Sequence, residues 1–146
     1  MLNKILEDLK QAQLSKDEAK TSTLRMLISE LNYAKIQKGE ELSEEDIIVV
    51  VQKEVKKRKE AAEGFRKGAR EEQAIKEEAE AKILMQYLPA QLSNEELTKI
   101  VEETITETGA NSLADMGKVI GIVMGKIKGQ ATGGQVSLLV KEKLNL

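Results

Sequence analysis

The sequence predicts an all-α protein, a long N-terminal helical hairpin or bundle of about four helices followed by a small three-helix C-terminal domain. Three observations carry that expectation. Aromatic residues make up only 2% of the 146 residues, with Tyr33, Phe65 and Tyr87 the complete set, so burial rests on Leu, Ile, Val, Met and Ala. Charged residues account for 33% and proline occurs once, the balance of long solvent-lined helices. Apolar residues recur at spacings of three and four rather than two, the period of a helix face.

The elements follow in order. Leu2, Ile5, Leu6, Leu9 and Ala12 form a first stripe, broken around Ser15 to Asp17, where Asp17 can cap a second helix. That helix carries Leu24, Leu27, Ile28, Leu31 and Ala34 and should stop at Gly39. Ser43-Glu-Glu-Asp46 is close to a capping box and opens a third helix with Ile47, Ile48, Val51, Val55, Ala62 and Phe65 on its apolar side. The β-branched run Ile47 to Val51 would suit a strand, but it continues into a charged segment of helical period. Gly64 and Gly68 loosen its end, and a fourth helix is expected from near Ala69, with Ile75, Ala79, Ile83 and Tyr87 as its stripe.

Pro89 has no amide donor and disfavours helical geometry at Leu88, which predicts domains 1–88 and 93–146 with a joint at 89–92. Ser93-Asn-Glu-Glu96 is a capping box for a fifth helix, with Leu97, Ile100, Val101 and Ile105, ending at Gly109. Ser112 to Asp115 opens a sixth with Met116, Val119, Ile120, Val123, Met124 and Ile127. Thr132-Gly-Gly-Gln135 caps a seventh through Val136, Leu139, Val140 and Leu144.

The composition excludes several function classes. Without cysteine or histidine there are no disulfides, thiolate nucleophiles, imidazole bases or usual zinc and haem ligands. Adjacent acids such as Glu44-Glu45-Asp46, Glu71-Glu72 and Glu102-Glu103 point in different directions on a helix, and no glycine-flanked nucleophile or Ser-x-x-Lys arrangement occurs. We therefore assign no catalytic residue, metal or cofactor. No uncharged apolar run approaches about 18 residues, so neither a membrane span nor an export signal is expected, and the location expected is cytoplasmic. A net charge of −2 argues against non-specific coating of nucleic acid, and no DNA partner is expected.

The least ordinary stretch is a glycine ladder, Gly117, Gly121, Gly125, Gly129 and Gly133, interleaved with Lys118, Lys126 and Lys128. A helix-interior glycine costs roughly 0.8 to 1 kcal/mol relative to alanine, so the missing side chains call for a use. One reading is close packing, with the fifth or seventh helix crossing over Gly117, Gly121 and Gly125. The other leaves Gly121 and Gly125 accessible and, with Lys118, Lys126 and Lys128, lets a phosphate backbone approach. A nucleotide-binding P-loop does not fit, because Gly121 to Gly125-Lys126 has three intervening residues, not four, and no preceding strand. A second basic patch gathers at Lys53, Lys56, Lys57 and Arg58, either a solvated face laced with ion pairs or a track for RNA.

Leu24-Arg-Met-Leu27 with Glu30-Leu31, Lys53-Glu54 with Lys57-Arg58, Tyr87-Leu-Pro-Ala-Gln-Leu-Ser93 with Glu95-Glu96-Leu97, and Asp115-Met-Gly-Lys-Val119 running through Lys126-x-Lys128-Gly129 to Val136 together resemble the GatB/YqeY family, specifically its short stand-alone YqeY-like members. The resemblance spans essentially the whole chain. It implies a helical N-terminal unit and a three-helix C-terminal unit similar to the tail of the B subunit of the tRNA-dependent amidotransferase, which engages the body of the tRNA while the chemistry occurs elsewhere. The label of carbon-nitrogen ligase activity with glutamine as amido-N-donor would be inherited from that assembly. The implied function is a non-catalytic tRNA-binding module; the alternative is an adaptor for an amidotransferase or a synthetase. The family often has proline where Gly125 stands and aspartate-glycine near Thr132-Gly133. Gly125 favours a continuous sixth helix here, and Thr132 retains the capping role.

Overall fold

Side-chain caps set most of the helix starts. The Ser43 hydroxyl accepts from the Asp46 amide and the Asp46 carboxylate accepts from the Ser43 amide, a reciprocal box repeated at Ser93/Glu96 and Thr132/Gln135. Asp17 accepts from the Lys20 amide, and Gly39 and Gly109 close helices in the left-handed conformation, which glycine adopts without steric cost. The computed structural model describes residues 1–145. Its helices are α1 Leu2–Leu14, α2 Glu18–Lys38, α3 Glu44–Lys67, α4 Glu71–Met85, α5 Asn94–Thr108, α6 Met116–Ile127 and α7 Gly133–Lys143, with a 3-10 turn at Leu113–Asp115 before α6. No strand occurs among the described residues, and the protein is all-α.

The chain divides into two compact units, Met1–Leu88 and Pro89 onward. In the first, Ile5, Leu24, Leu27, Leu31, Ile47, Val51, Val55, Ala81, Leu84 and Tyr87 form one core. Each fully buried Leu or Ile contributes about 1.5 to 3 kcal/mol. α1 packs on α2, and α3 and α4 form an antiparallel hairpin against which α2 lies. The Tyr87 hydroxyl donates to Asp8 Oδ2 at 2.6 Å, tying the end of α4 to α1. Burial, and then that carboxylate, raise the Tyr87 phenol well above its ordinary value.

Two expectations for this unit are corrected. The buried side of α4 is Ala74, Ala81, Leu84 and Tyr87, whereas Ile75 is 55% exposed and Ala79 lies outside. The four-residue step drifts off the packed face because 3.6 residues make a turn. On α1, Ile5 and Ala12 are buried but Leu2 and Leu6 are exposed.

The second unit has its own core of Leu97, Val101, Val119, Val123, Ile127, Ala131, Val136, Leu139, Val140 and Leu144. The segment after Pro89 is fixed to the α6–α7 turn: the Leu92 amide donates to the Gln130 carbonyl at 2.9 Å, and Gln91 Nε2 donates to the Gly129 carbonyl at 3.1 Å. Lys128 and Gly129, both left-handed, reverse the chain between α6 and α7.

Candidate nucleic-acid interface

α6 buries Val119, Val123 and Ile127 completely. Gly121 sits two residues from both valines, about 200° around the helix, so Gly117, Gly121 and Gly125 run along the opposite side. All three are exposed, and a Cβ placed on any of them would meet nothing within 4 Å. The expected crossing by α5 or α7 is therefore absent: both pack on the valine side, in the same core. What α6 turns outward is bare peptide backbone, a ridge of three glycines over two turns.

The three lysines do not converge on that ridge. Lys118 follows Gly117 directly, is exposed, and forms no salt bridge among the described residues. Lys126, eight residues on and about 12 Å along the axis, reaches instead toward α5. Its ammonium donates to Thr104 Oγ1 at 2.9 Å and to Glu107 Oε2 at 3.0 Å. Thr104 is fully buried and donates its own hydroxyl proton to the Ile100 carbonyl, so Lys126 is a tether between α6 and α5. Lys128 is exposed at the end of α6, with φ 42°. α6 contains no acidic residue, and the nearest acid on its N-terminal side, Asp115, is occupied by the Asn111 amide and the Ser112 hydroxyl. Those two donors hold the Asp115 carboxyl below its ordinary value, with a smaller contribution from the Lys118 charge.

Burial removes Arg58 from the second basic patch, whose Lys53, Lys56 and Lys57 stay exposed. Arg58 is 5% exposed and lies inside the first unit, where Nη1 donates to Glu54 Oε2 at 2.8 Å and Nε stands 3.5 Å from Glu80 Oε2. Nη2 also reaches Met26 Sδ on α2. Nε makes an ionic contact with Glu80 but no directed hydrogen bond, and Thr23 Oγ1 is likewise buried without a partner. Glu54 is itself 3% exposed and also receives Lys57 Nζ at 3.2 Å. Lys56 pairs with Glu60, leaving Lys53 as the member that forms no salt bridge among the described residues. The charge of Arg58 predicts a surface position; positions 54 and 58 nevertheless continue the apolar stripe of Ile47 and Val51 at helical spacing, a pattern that points to burial.

Among the described residues no group of three or more His, Cys, Asp or Glu side chains converges on a metal-sized site. Among the described residues no helix is long and apolar enough to cross a membrane.

The chain belongs to the YqeY-like family, whose model, described as Yqey-like protein, matches residues 2–144. It is 41% identical over 91 residues to an uncharacterized protein of Schizosaccharomyces pombe, covering 62% of this chain and 71% of that one. It is 35% identical over 83 residues to the altered inheritance of mitochondria protein 41, mitochondrial, of Vanderwaltozyma polyspora, a match covering 56% of this chain and 45% of the relative. A protein of the same name from Pyrenophora tritici-repentis is 28% identical over 148 residues, covering 97% and 80% of the two chains.

Proposed function

We propose that this protein is a non-catalytic, cytoplasmic RNA-binding module that engages tRNA, related to the tail of the amidotransferase B subunit, with any amide-transfer label belonging to the larger assembly. The observation that supports this is the uncovered ridge of Gly117, Gly121 and Gly125 with Lys118 beside it. A helix without side chains along one face lets a sugar-phosphate backbone approach its peptide groups, and Lys118 and Lys128 supply the neutralising charge. Lys126 contributes once its exposed pair with Glu107 is exchanged for a phosphate, a pair worth at most about 1 kcal/mol. The second unit contains no aromatic residue, so recognition works through shape and phosphates rather than base stacking.

The test is tRNA binding across a salt series. Two to three phosphate contacts give a logarithmic slope of about −2 to −3. Lys118→Gln with Lys128→Gln should flatten that slope, and Gly121→Gln with Gly125→Gln should weaken binding with the helix content unchanged. Absence of tRNA binding at low salt sinks the reading.

One observation favours an adaptor role instead: Leu113 and Leu138, 66% and 72% exposed, give the second unit apolar surface that an amidotransferase or synthetase component could cover. Partners retained in a pull-down after nuclease treatment, and lost in Leu138→Asp, would select that reading.

A further inference from the structure

We propose that the groove on the outer side of the α3–α4 hairpin is a binding site for a single-chain anionic amphiphile, an acyl carboxylate of medium length. The groove has a volume of about 470 Å³, within the range of about 300 to 1,000 Å³ usual for small-molecule sites. Its floor is apolar, faced by Met85 on α4 and backed by Ala62 on α3 and by Ala81, at the edge of the core on α4, both almost wholly buried. α2 covers the opposite side of the hairpin, where Arg58 meets Met26, so no helix of the first unit fills the groove.

The rim decides the ligand's charge. At one end Arg66 is engaged by Glu71 and Glu78, and Lys67 pairs with Glu63 at 3.2 Å. Those cations are neutralised. Lys59 on α3 and Lys82 on α4 also line the groove, are exposed, and form no salt bridge among the described residues. The two facing helices thus contribute one uncompensated ammonium each above an alanine and methionine floor. Their aliphatic stems extend the apolar wall while their heads remain free to meet an anion.

The dimensions decide its form. The α3 lining runs from Lys59 to Lys67, about 12 Å of helix axis. That is two turns, too little to bury the roughly 800 Å² per partner of a stable protein interface. A polynucleotide would meet the acids Glu63 and Glu78 at the far end of the groove and gain nothing from its apolar floor. A carboxylate held by Lys59 and Lys82, with its chain laid over Ala62, Ala81 and Met85, matches both the charge and the extent.

The experiment is calorimetric titration of the full chain with decanoate, decanol and decyltrimethylammonium, each below its self-association concentration. Saturable one-site binding of decanoate is expected, weaker binding of the alcohol and none of the cation. Lys59→Gln with Lys82→Gln should weaken decanoate about tenfold, while Lys10→Gln on α1 changes nothing. Met85→Gln removes part of the apolar floor without overfilling it and should also weaken binding, with circular dichroism confirming that the helices persist. Equal affinity for all three probes, absence of decanoate binding, or indifference of decanoate to the lysine substitutions overturns the proposal. So does capture of the chain by phosphatidylglycerol vesicles without binding of free decanoate, which would assign the lysines to a lipid surface.

Discussion

The two units place their anomalies on opposite sides of their surfaces. The first unit carries charge inside: Glu54, Arg58 and Glu80 meet between α2, α3 and α4 in a region that the spacing of Ile47 and Val51 would fill with apolar side chains. The second has an uncharged interior, aliphatic apart from Thr104, and carries its oddity outside, where three glycines leave one side of α6 without side chains. A buried ion pair gives little net stability relative to apolar residues of similar size, whereas bare glycines lower the stability of the helix that contains them. The units therefore give up stability in different ways, and only the second does so on a surface that a partner can reach.

The sharpest break of that contrast is Arg58→Ala. It leaves Glu80 without a counterion beside Glu54, which keeps only Lys57, and the first unit should lose about 3 to 5 kcal/mol, read by chemical denaturation. Replacing the whole cluster, Glu54→Leu with Arg58→Met and Glu80→Leu, makes the first core resemble the second. That variant should be neutral or more stable by up to about 4 kcal/mol. A loss as large as that of Arg58→Ala would show that the cluster supports the packing of α2 by more than its charge balance.

The glycines are the converse. Because a Cβ at Gly121 or Gly125 meets nothing within 4 Å, Gly121→Ala with Gly125→Ala should stabilise the second unit by roughly 1.5 to 2 kcal/mol, the sum of two helix-interior terms. A decrease on denaturation would mean that the ridge is occupied after all. With glutamine at the same positions the helix still forms, but a long side chain stands over the backbone, so stability and tRNA binding should separate. Alanine tests the helix, and glutamine tests the surface.

Much of the fold was legible because it depends on local chemistry. Ser43, Ser93, Thr132, Asp17, Gly39 and Gly109 act through neighbours within four residues, and each takes the role its sequence context predicts. What required coordinates was the direction in which a stripe faces. Gly117, Gly121 and Gly125 are offset by two residues from Val119, Val123 and Ile127, which already places them on the far side. The cost of helix-interior glycines argues for packing, but that offset outweighs it. Arg58 was misplaced for a related reason: its charge argues for water, and only Glu54 one turn earlier and Glu80 on another helix make burial tolerable. The lysines near α6 divide on the same principle, since Lys126 is drawn away by Thr104 and Glu107 on α5, partners that proximity in sequence does not reveal.

A smaller effect is expected at the joint between α1 and α4. Tyr87→Phe keeps the ring in the core but removes the hydroxyl that donates to Asp8, and the first unit should lose about 1 to 2 kcal/mol. Because the phenol is raised above its ordinary value of 10, its contribution is complete below that pH and is lost as the pH rises further. Tyr87→Phe should therefore flatten the alkaline limb of the stability profile. An unchanged limb would assign alkaline unfolding to other groups.

The smallest effect lies at the start of α3 and runs toward acid. Asp46 accepts from Lys38 Nζ at 2.5 Å and from the Ser43 amide at 2.9 Å, and these donors lower its carboxyl from 3.8 to about 2. A depressed carboxylate stabilises the fold above its unfolded value and loses that contribution as pH falls from about 4 through 2. Lys38 is shifted the other way, chiefly by the same hydrogen bond, so its share is complete below 10.5 and fades at higher pH. Both groups are exposed, so the amplitude is small and salt should reduce it. Asp46→Asn retains an acceptor for the Ser43 amide but removes the charge. Its stability profile should differ from that of the parent above pH 4 and merge with it near 2; a constant offset across that window would assign the loss to cap geometry instead of charge.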